Sequence, residues 1–222
     1  MRERFILRFE KGKVRRVKDI LARESELEIF LNGERVARLK CLPVDMESLA
    51  VGFLLSEGLV SEVERVSVGG GIAEVEGKKG RKKKPEVPKI SPERVKNLVS
   101  EFEKSSEIFK KTGCVHSAAL SDGEKLLFVM EDIGRSNAID KVIGKAYLEG
   151  IDVRDKILIT SGRITSETLK KLVKVSIPAA ISVSAPTDKA VSIARRKKLL
   201  LIGFARGDRM NIYSPITFTV ES

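Results

Sequence analysis

Lys156-Ile157-Leu158-Ile159-Thr160-Ser161-Gly162-Arg163-Ile164-Thr165-Ser166 opens the stretch whose reading decides the fold. It predicts a strand over 156–160 and, behind the small and hydroxyl residues, a helix over 166–176. The same plan continues with a strand at 179–183, a helix at 187–197 and a strand at 199–204. A helix over 137–149 precedes it, and Met210–Ser214 supplies a short antiparallel end. Strands and helices alternating at this spacing predict a mainly parallel sheet covered by helices.

Upstream, the punctuation changes. Asp122-Gly123 marks a hairpin turn into a strand at Lys125–Met130, and Ser91-Pro92-Glu93 opens a helix with a serine cap and a proline in its first position. Residues 4–9 and 26–31 read as strands, and Asn32-Gly33 turns the second into Glu34–Lys40. Pro43 and Asp45 signal a helix start, and Met46–Glu57 runs to Gly58 with one face apolar. Gly69-Gly70-Gly71 interrupts Arg65–Val75; no Gly-Lys-Ser/Thr follows, so a turn or bulge is expected rather than a phosphate loop. The predicted class is α/β, with an α+β N-terminal part. A β-rich subdomain covers 1–90, carries the basic loop 78–84 and ends in a Pro-rich linker, and a cofactor-binding α/β domain covers 91–222.

In such sheets ligands bind beyond the carboxyl ends of the strands. The loops there are Glu131–Asn137, Thr160–Ser166, Ser182–Asp188 and Gly203–Arg209. Ser136, Thr165 and Thr187 suit helix caps, but capping does not call for Arg135, Arg163, Arg206 and Arg209 at matching loop positions. Arginines beside helix amino ends predict an anionic, phosphorylated ligand.

A second candidate lies in Thr112-Gly113-Cys114-Val115-His116. It holds one of two cysteines and the one histidine of the 222 residues. On a regular strand these two side chains would share a face, and Lys110, Lys111 and His116 would favour a Cys114 thiolate. Cys41, beside Pro43, reads as structural.

Composition narrows the classes. With 42% hydrophobic and 33% charged residues the chain is a globular protein. Met1–Arg8 lacks a signal peptide's apolar run, no stretch is long enough to span a membrane, and two cysteines make no disulfide framework. A cytoplasmic protein is therefore expected. The absence of Gln, with abundant Lys, Arg and Glu, matches a thermophile's bias. The net charge of +11 raises nucleic-acid binding as an alternative, yet Lys78–Lys84 alone supplies six of the charges and aromatics make up only 5%.

Six motifs in order resemble the FdhD family, accessory sulfur carriers or sulfurtransferases of formate dehydrogenase. They are Pro43-x-Asp45 with Leu49–Gly58, Thr112-Gly113-x-x-His116-x-Ala118-Ala119, and Glu131-Asp132-Ile133-Gly134-Arg135-x-Asn137-Ala138-x-Asp140-Lys141. Then come Ser161-Gly162-Arg163, Ser184-Ala185-Pro186-Thr187, and Gly203-Phe204-Ala205-Arg206 with Asn211-Ile212-Tyr213. The resemblance implies a three-layer α/β/α core like that of cytidine deaminases, and a homodimer. It implies a carrier that takes sulfur from a cysteine desulfurase and passes it to the bis-molybdopterin guanine dinucleotide cofactor, with molybdenum or tungsten, for a formate dehydrogenase. The guanine nucleotide would lie against Phe204, Ala205, Arg206, Gly207, Asp208 and Arg209, with Arg135, Arg163, Ser184 and Thr187 nearby. No zinc is expected, because a zinc deaminase needs a Cys-x-x-Cys pair that this chain lacks.

Two departures bear on the chemistry. Bacterial members carry a Cys-x-x-Cys loop between the first helical region and the Thr-Gly motif, and here that region has no cysteine. The family's Gly-Arg-His-Asn is Gly134-Arg135-Ser136-Asn137, while Cys114 stands where glycine is frequent. Cys114 is thus the candidate persulfide, with His116 beside it. A cofactor-insertion chaperone without sulfur transfer is the competing reading.

Overall fold

A computed structural model describes residues 1–80 and 84–214. The chain runs β1 (Arg2–Glu10), β2 (Lys13–Leu21), β3 (Ser25–Leu31), β4 (Glu34–Cys41), α1 (Met46–Glu57), β5 (Glu62–Gly69) and β6 (Ile72–Lys78). There follow α2 (Pro92–Lys104), α3 (Glu107–Thr112), β7 (His116–Ser121), β8 (Leu126–Asp132), α4 (Arg135–Leu148), β9 (Ile157–Thr160), α5 (Ser166–Val175), β10 (Ala179–Ser182), α6 (Asp188–Lys197), β11 (Leu200–Arg206) and β12 (Arg209–Ser214).

The central sheet has the order β12-β11-β10-β9-β7-β8. Its strands alternate faces as the pleat requires. Leu158, Ala180 and Leu201 join α1, α4, α5 and α6 in one apolar cluster. Ile157, Ile159, Ala179, Ile181, Leu200 and Ile202 meet Val95, Leu98, Val99 and Phe102 of α2 on the other face. The arrangement is three-layered, α/β/α, and mixed α/β in class. The sheet is less parallel than the sequence suggests. Only the β9–β10 and β10–β11 ladders are parallel, because β7 pairs antiparallel with β9 as well as with β8, and β12 pairs antiparallel with β11.

A second sheet, β4-β3-β6-β5, presents Leu27, Ile29, Ala73 and Val75 to the same cluster as α1. The triple glycine is the turn of its β5–β6 hairpin, with Gly70 and Gly71 at positive φ. Helix α1 lies directly on α4. A β-carbon at Gly52 would fall 1.7 Å from the Asp140 carbonyl oxygen, and one at Gly144 1.8 Å from that of Ser48, so only glycines allow this crossing. Residues 25–78 therefore share their core with the central sheet's helical layer.

Strands β1 and β2 form a separate two-stranded hairpin, of which sequence reading found only the first strand. The turn is Lys11-Gly12, both at positive φ, and lysine gives weak warning of that conformation. Of the basic run, Lys78 ends β6 and pairs with Glu62 and Glu64, while Arg81, Lys82 and Lys83 lie outside the described residues. Among the described residues no helix is long and apolar enough to cross a membrane.

Candidate functional site

The parallel strands β9, β10 and β11 end side by side, and antiparallel β7 begins at the same edge. Ser182 is level with Thr160, Ile202 with Ile181, and Ala118 pairs with Thr160, which sets His116 beside Ser161. Four neighbouring strands at about 4.8 Å spacing give a row of roughly 14 Å. The loops along it are tied together: Ile164 N donates to Ala185 O, Thr187 N to Ile164 O, and Phe204 N to Ser184 O. Thr165 and Thr187 cap α5 and α6 through the backbone N–H of Thr168 and Ala190, so part of the hydroxyl content is structural. Helix α4 differs, since its N-cap is Gly134 and no side chain caps it.

Arg135 lies over Gly162, where a β-carbon would approach its Cδ to 2.8 Å. Its Nη1 is the one buried side-chain nitrogen or oxygen among the described residues without a hydrogen-bond partner. A buried donor left unmade is costly, and an incoming anion would satisfy it. Arg163 stands exposed on the next loop. Half-buried His116 reaches Ser161 Oγ at 3.4 Å through Nδ1. Burial first, then the positive charges of Arg135 and Arg163, lower its pKa below the usual 6.5. His116 is therefore neutral at pH 7, as an acceptor or proton carrier.

At the far end of the row, Phe204 takes a positive φ of 52° at an irregularity in the β11–β12 pairing. Arg209 stacks over the Phe204 ring, with its guanidinium carbon 5.2 Å from the centroid. Arg206, Gly207, Asp208 and Arg209 are exposed, and a recess of about 150 Å³ opens between Arg206, Gly207, Arg209 and α2. Lys96 of α2 lines it and pairs with Asp208. The sequence offers no signal for Lys96, which lies far back in the chain on a helix that reads as ordinary.

The two cysteines part company. Cys41 is buried, and loss of water together with the nearby Asp132 charge pushes its thiol up to about 11. Cys114 is exposed. It precedes β7, which starts only at His116, so the two do not share a strand face as alternation predicts. Cys114 sits on a loop whose backbone turns at Gly113, φ 63°, and its N–H donates to Thr112 Oγ1 at 3.3 Å. Lys110 is engaged by Glu107 and by the Lys104 carbonyl.

A buried carboxylate organises this edge. Asp132 accepts from Leu42 N, Gly134 N and Asn137 Nδ2, and its Oδ2 is 2.7 Å from Lys141 Nζ. Its neighbour Glu131 accepts from Ile108 N at 2.8 Å and Phe109 N at 2.9 Å, holding the amino end of α3. Asp140 meets Lys171 Nζ at 2.9 Å and Ser56 Oγ at 2.6 Å, joining α4 to α5 and α1. Most of the Glu131–Lys141 motif is thus scaffold, and Arg135 keeps a buried donor unmet.

The model of the FdhD/NarQ family matches residues 22–70 and 67–217. The chain is 34% identical to the sulfur carrier protein FdhD of Bacillus subtilis, over 95% of this chain and 94% of that one. It is 36% identical to that of Wolinella succinogenes, over 88% and 81%. Among solved structures, a formate dehydrogenase accessory protein from Desulfotalea psychrophila superposes with a TM-score of 0.88 at 25% identity, covering 98% of both chains. With this match over nearly its whole length, the chain belongs to the FdhD/NarQ family.

Proposed function

We propose that the chain is a sulfur carrier serving a formate dehydrogenase, with Cys114 as the sulfur-bearing residue. One observation carries this reading: of the two cysteines in the sequence, only Cys114 is exposed. Cys41 is enclosed and its thiol is raised to about 11, so a donor protein has one thiol to meet. The names of the FdhD relatives support the carrier role.

The Cys114 thiolate attacks the terminal sulfur of a donor persulfide, supplied by a cysteine desulfurase. A new S–S bond forms at Cys114, the donor's S–S bond breaks, and its electron pair leaves on the donor thiolate. On transfer, an electron pair of the acceptor takes the terminal sulfur. The Cys114 sulfur keeps the pair of the broken bond and the persulfide proton, returning to the thiol. Neutral His116 is the nearest titrating group in sequence for moving that proton.

The acceptor is read as the guanine dinucleotide form of the molybdenum or tungsten cofactor. Arg135, Arg163, Arg206 and Arg209 would hold its phosphates, and Phe204 with Ser184 and Thr187 would line the nucleotide's path. The unmet Arg135 Nη1 favours such an anion. A homodimer is part of the same reading.

The test loads the protein with a cysteine desulfurase and L-cysteine and follows persulfide by intact mass. Wild type and Cys41→Ala gain sulfane sulfur, and Cys114→Ala does not. Calorimetry with GDP loses binding in Arg135→Ala and Arg209→Ala. GDP binding without any sulfur uptake by wild type would instead identify a cofactor-insertion chaperone.

A further inference from the structure

Among the described residues the β1–β2 hairpin has no ladder partner in either larger sheet, which leaves both of its long edges without a strand beside them. Register sorts its side chains. Phe5, Leu7 and Phe9 of β1 share a face with Lys18, Arg16 and Val14 of β2, and with Ile20 one pair further on. This face points to solvent: Phe5 is 59% exposed, Leu7 74%, Phe9 73% and Val14 63%. The reverse face is where Ile6 and Val17 become half-buried. An apolar stripe this regular on an otherwise charged protein marks an interaction surface.

Charge says what fits it. Between Arg2 and Leu21 there are eight Lys and Arg against three Asp and Glu. Arg16 and Lys18 stand over the Phe5 ring, at 4.4 and 5.8 Å from its centroid. A second copy would bring the same positive rim against itself, on a chain of net charge +11. A partner with acidic residues around an apolar centre is complementary, and an extended segment would add to an open edge.

Position says what the partner does. Beyond its own ladder, the hairpin's principal contact is β2 against α3, and α3 leads through Thr112 and Gly113 into exposed Cys114. Glu131 fixes the other end of α3, so the hairpin and the thiol are joined through one anchored turn of helix. We propose that the outer face of the β1–β2 hairpin is the docking arm for the acidic protein that delivers sulfur to Cys114. This rests on the carrier reading above and adds the surface to it.

The experiment compares wild type with the triple variant Phe5→Ser, Leu7→Ser, Phe9→Ser and with the charge reversal Arg16→Glu, Lys18→Glu. All these side chains are exposed, so neither variant opens the core. Persulfide formation on Cys114 is timed with two donors, a cysteine desulfurase with L-cysteine and sodium polysulfide alone. The expected result is a loss of at least about tenfold in the desulfurase-driven rate for both variants, with polysulfide loading unchanged. Equal desulfurase-driven rates in wild type and variants would overturn the docking arm, as would loading of wild type by polysulfide but not by the desulfurase. Uptake from neither donor would remove the carrier reading itself. Sedimentation adds a separate check: a wild-type dimer that becomes monomeric in the triple variant would assign the face to a second copy and overturn the proposal.

Discussion

Lys141 Nζ lies 2.7 Å from Asp132 Oδ2, and neither side chain reaches solvent. The pair joins β8 to α4, and one further bond to the carboxylate, from Leu42 N, reaches back to the residue that follows β4. Removing one partner strands the other charge away from water. Lys141→Met should cost about 3–5 kcal/mol of stability, read from chemical denaturation. The double variant Asp132→Asn, Lys141→Met should recover part of that loss, because no isolated charge is left.

The crossing of α1 and α4 gives a steric prediction. Gly52→Ala and Gly144→Ala each place a methyl group far inside van der Waals contact with a backbone carbonyl on the opposite helix. Neither helix can yield alone, since Asp140 beside the contact is tied to Lys171 and Ser56. Each substitution should lower stability by about 3 kcal/mol or more, the upper end of ordinary overpacking. Thermal melts of the two single variants would show it.

His116 should titrate below 6.5 by proton NMR of its ring. The fold disfavours its charged form, so its contribution to stability is present above the unfolded value of about 6.5 and is lost as pH falls below it. Arg163→Ala removes one of the repelling charges and should move the midpoint up. Binding of GDP should do the same, because phosphates neutralise both arginines. A midpoint indifferent to GDP would place the nucleotide away from this end of the row.

The cysteines should separate by reactivity. A thiol raised to about 11 is ionised to roughly one part in a thousand at pH 8, and Cys41 is also enclosed. Iodoacetamide on the folded protein should label Cys114 first and Cys41 only on unfolding, as followed by peptide mass mapping.

The order β9-α5-β10-α6-β11 was legible because each element carries its own punctuation: hydroxyl caps at Thr165 and Thr187, apolar strands between them. Ser91-Pro92 likewise opens α2, with Ser91 Oγ accepting from Arg94 N. The arginine-bearing loops could be placed on one edge from alternation alone. Asp122-Gly123 made the β7–β8 hairpin legible, but the antiparallel pairing of β7 with β9 was not, because it rests on tertiary pairing rather than on local pattern. The relation of Cys114 to His116 failed for a similar reason, since the strand begins one residue after Val115. The hubs around Asp132 and Asp140 depend on partners far apart in sequence, such as Leu42 and Lys171, and no spacing rule reaches them. Cys114 was singled out for its rarity, and exposure now separates it from Cys41.

The glycine-mediated seat of α1 on α4 also has a kinetic consequence. During synthesis α1 leaves the ribosome long before its partner helix exists, and the side of α1 around Gly52 must wait uncovered. Closing that long loop delays the cooperative step until the arrival of α4. The interval is when this chain is most open to aggregation and most in need of a holdase.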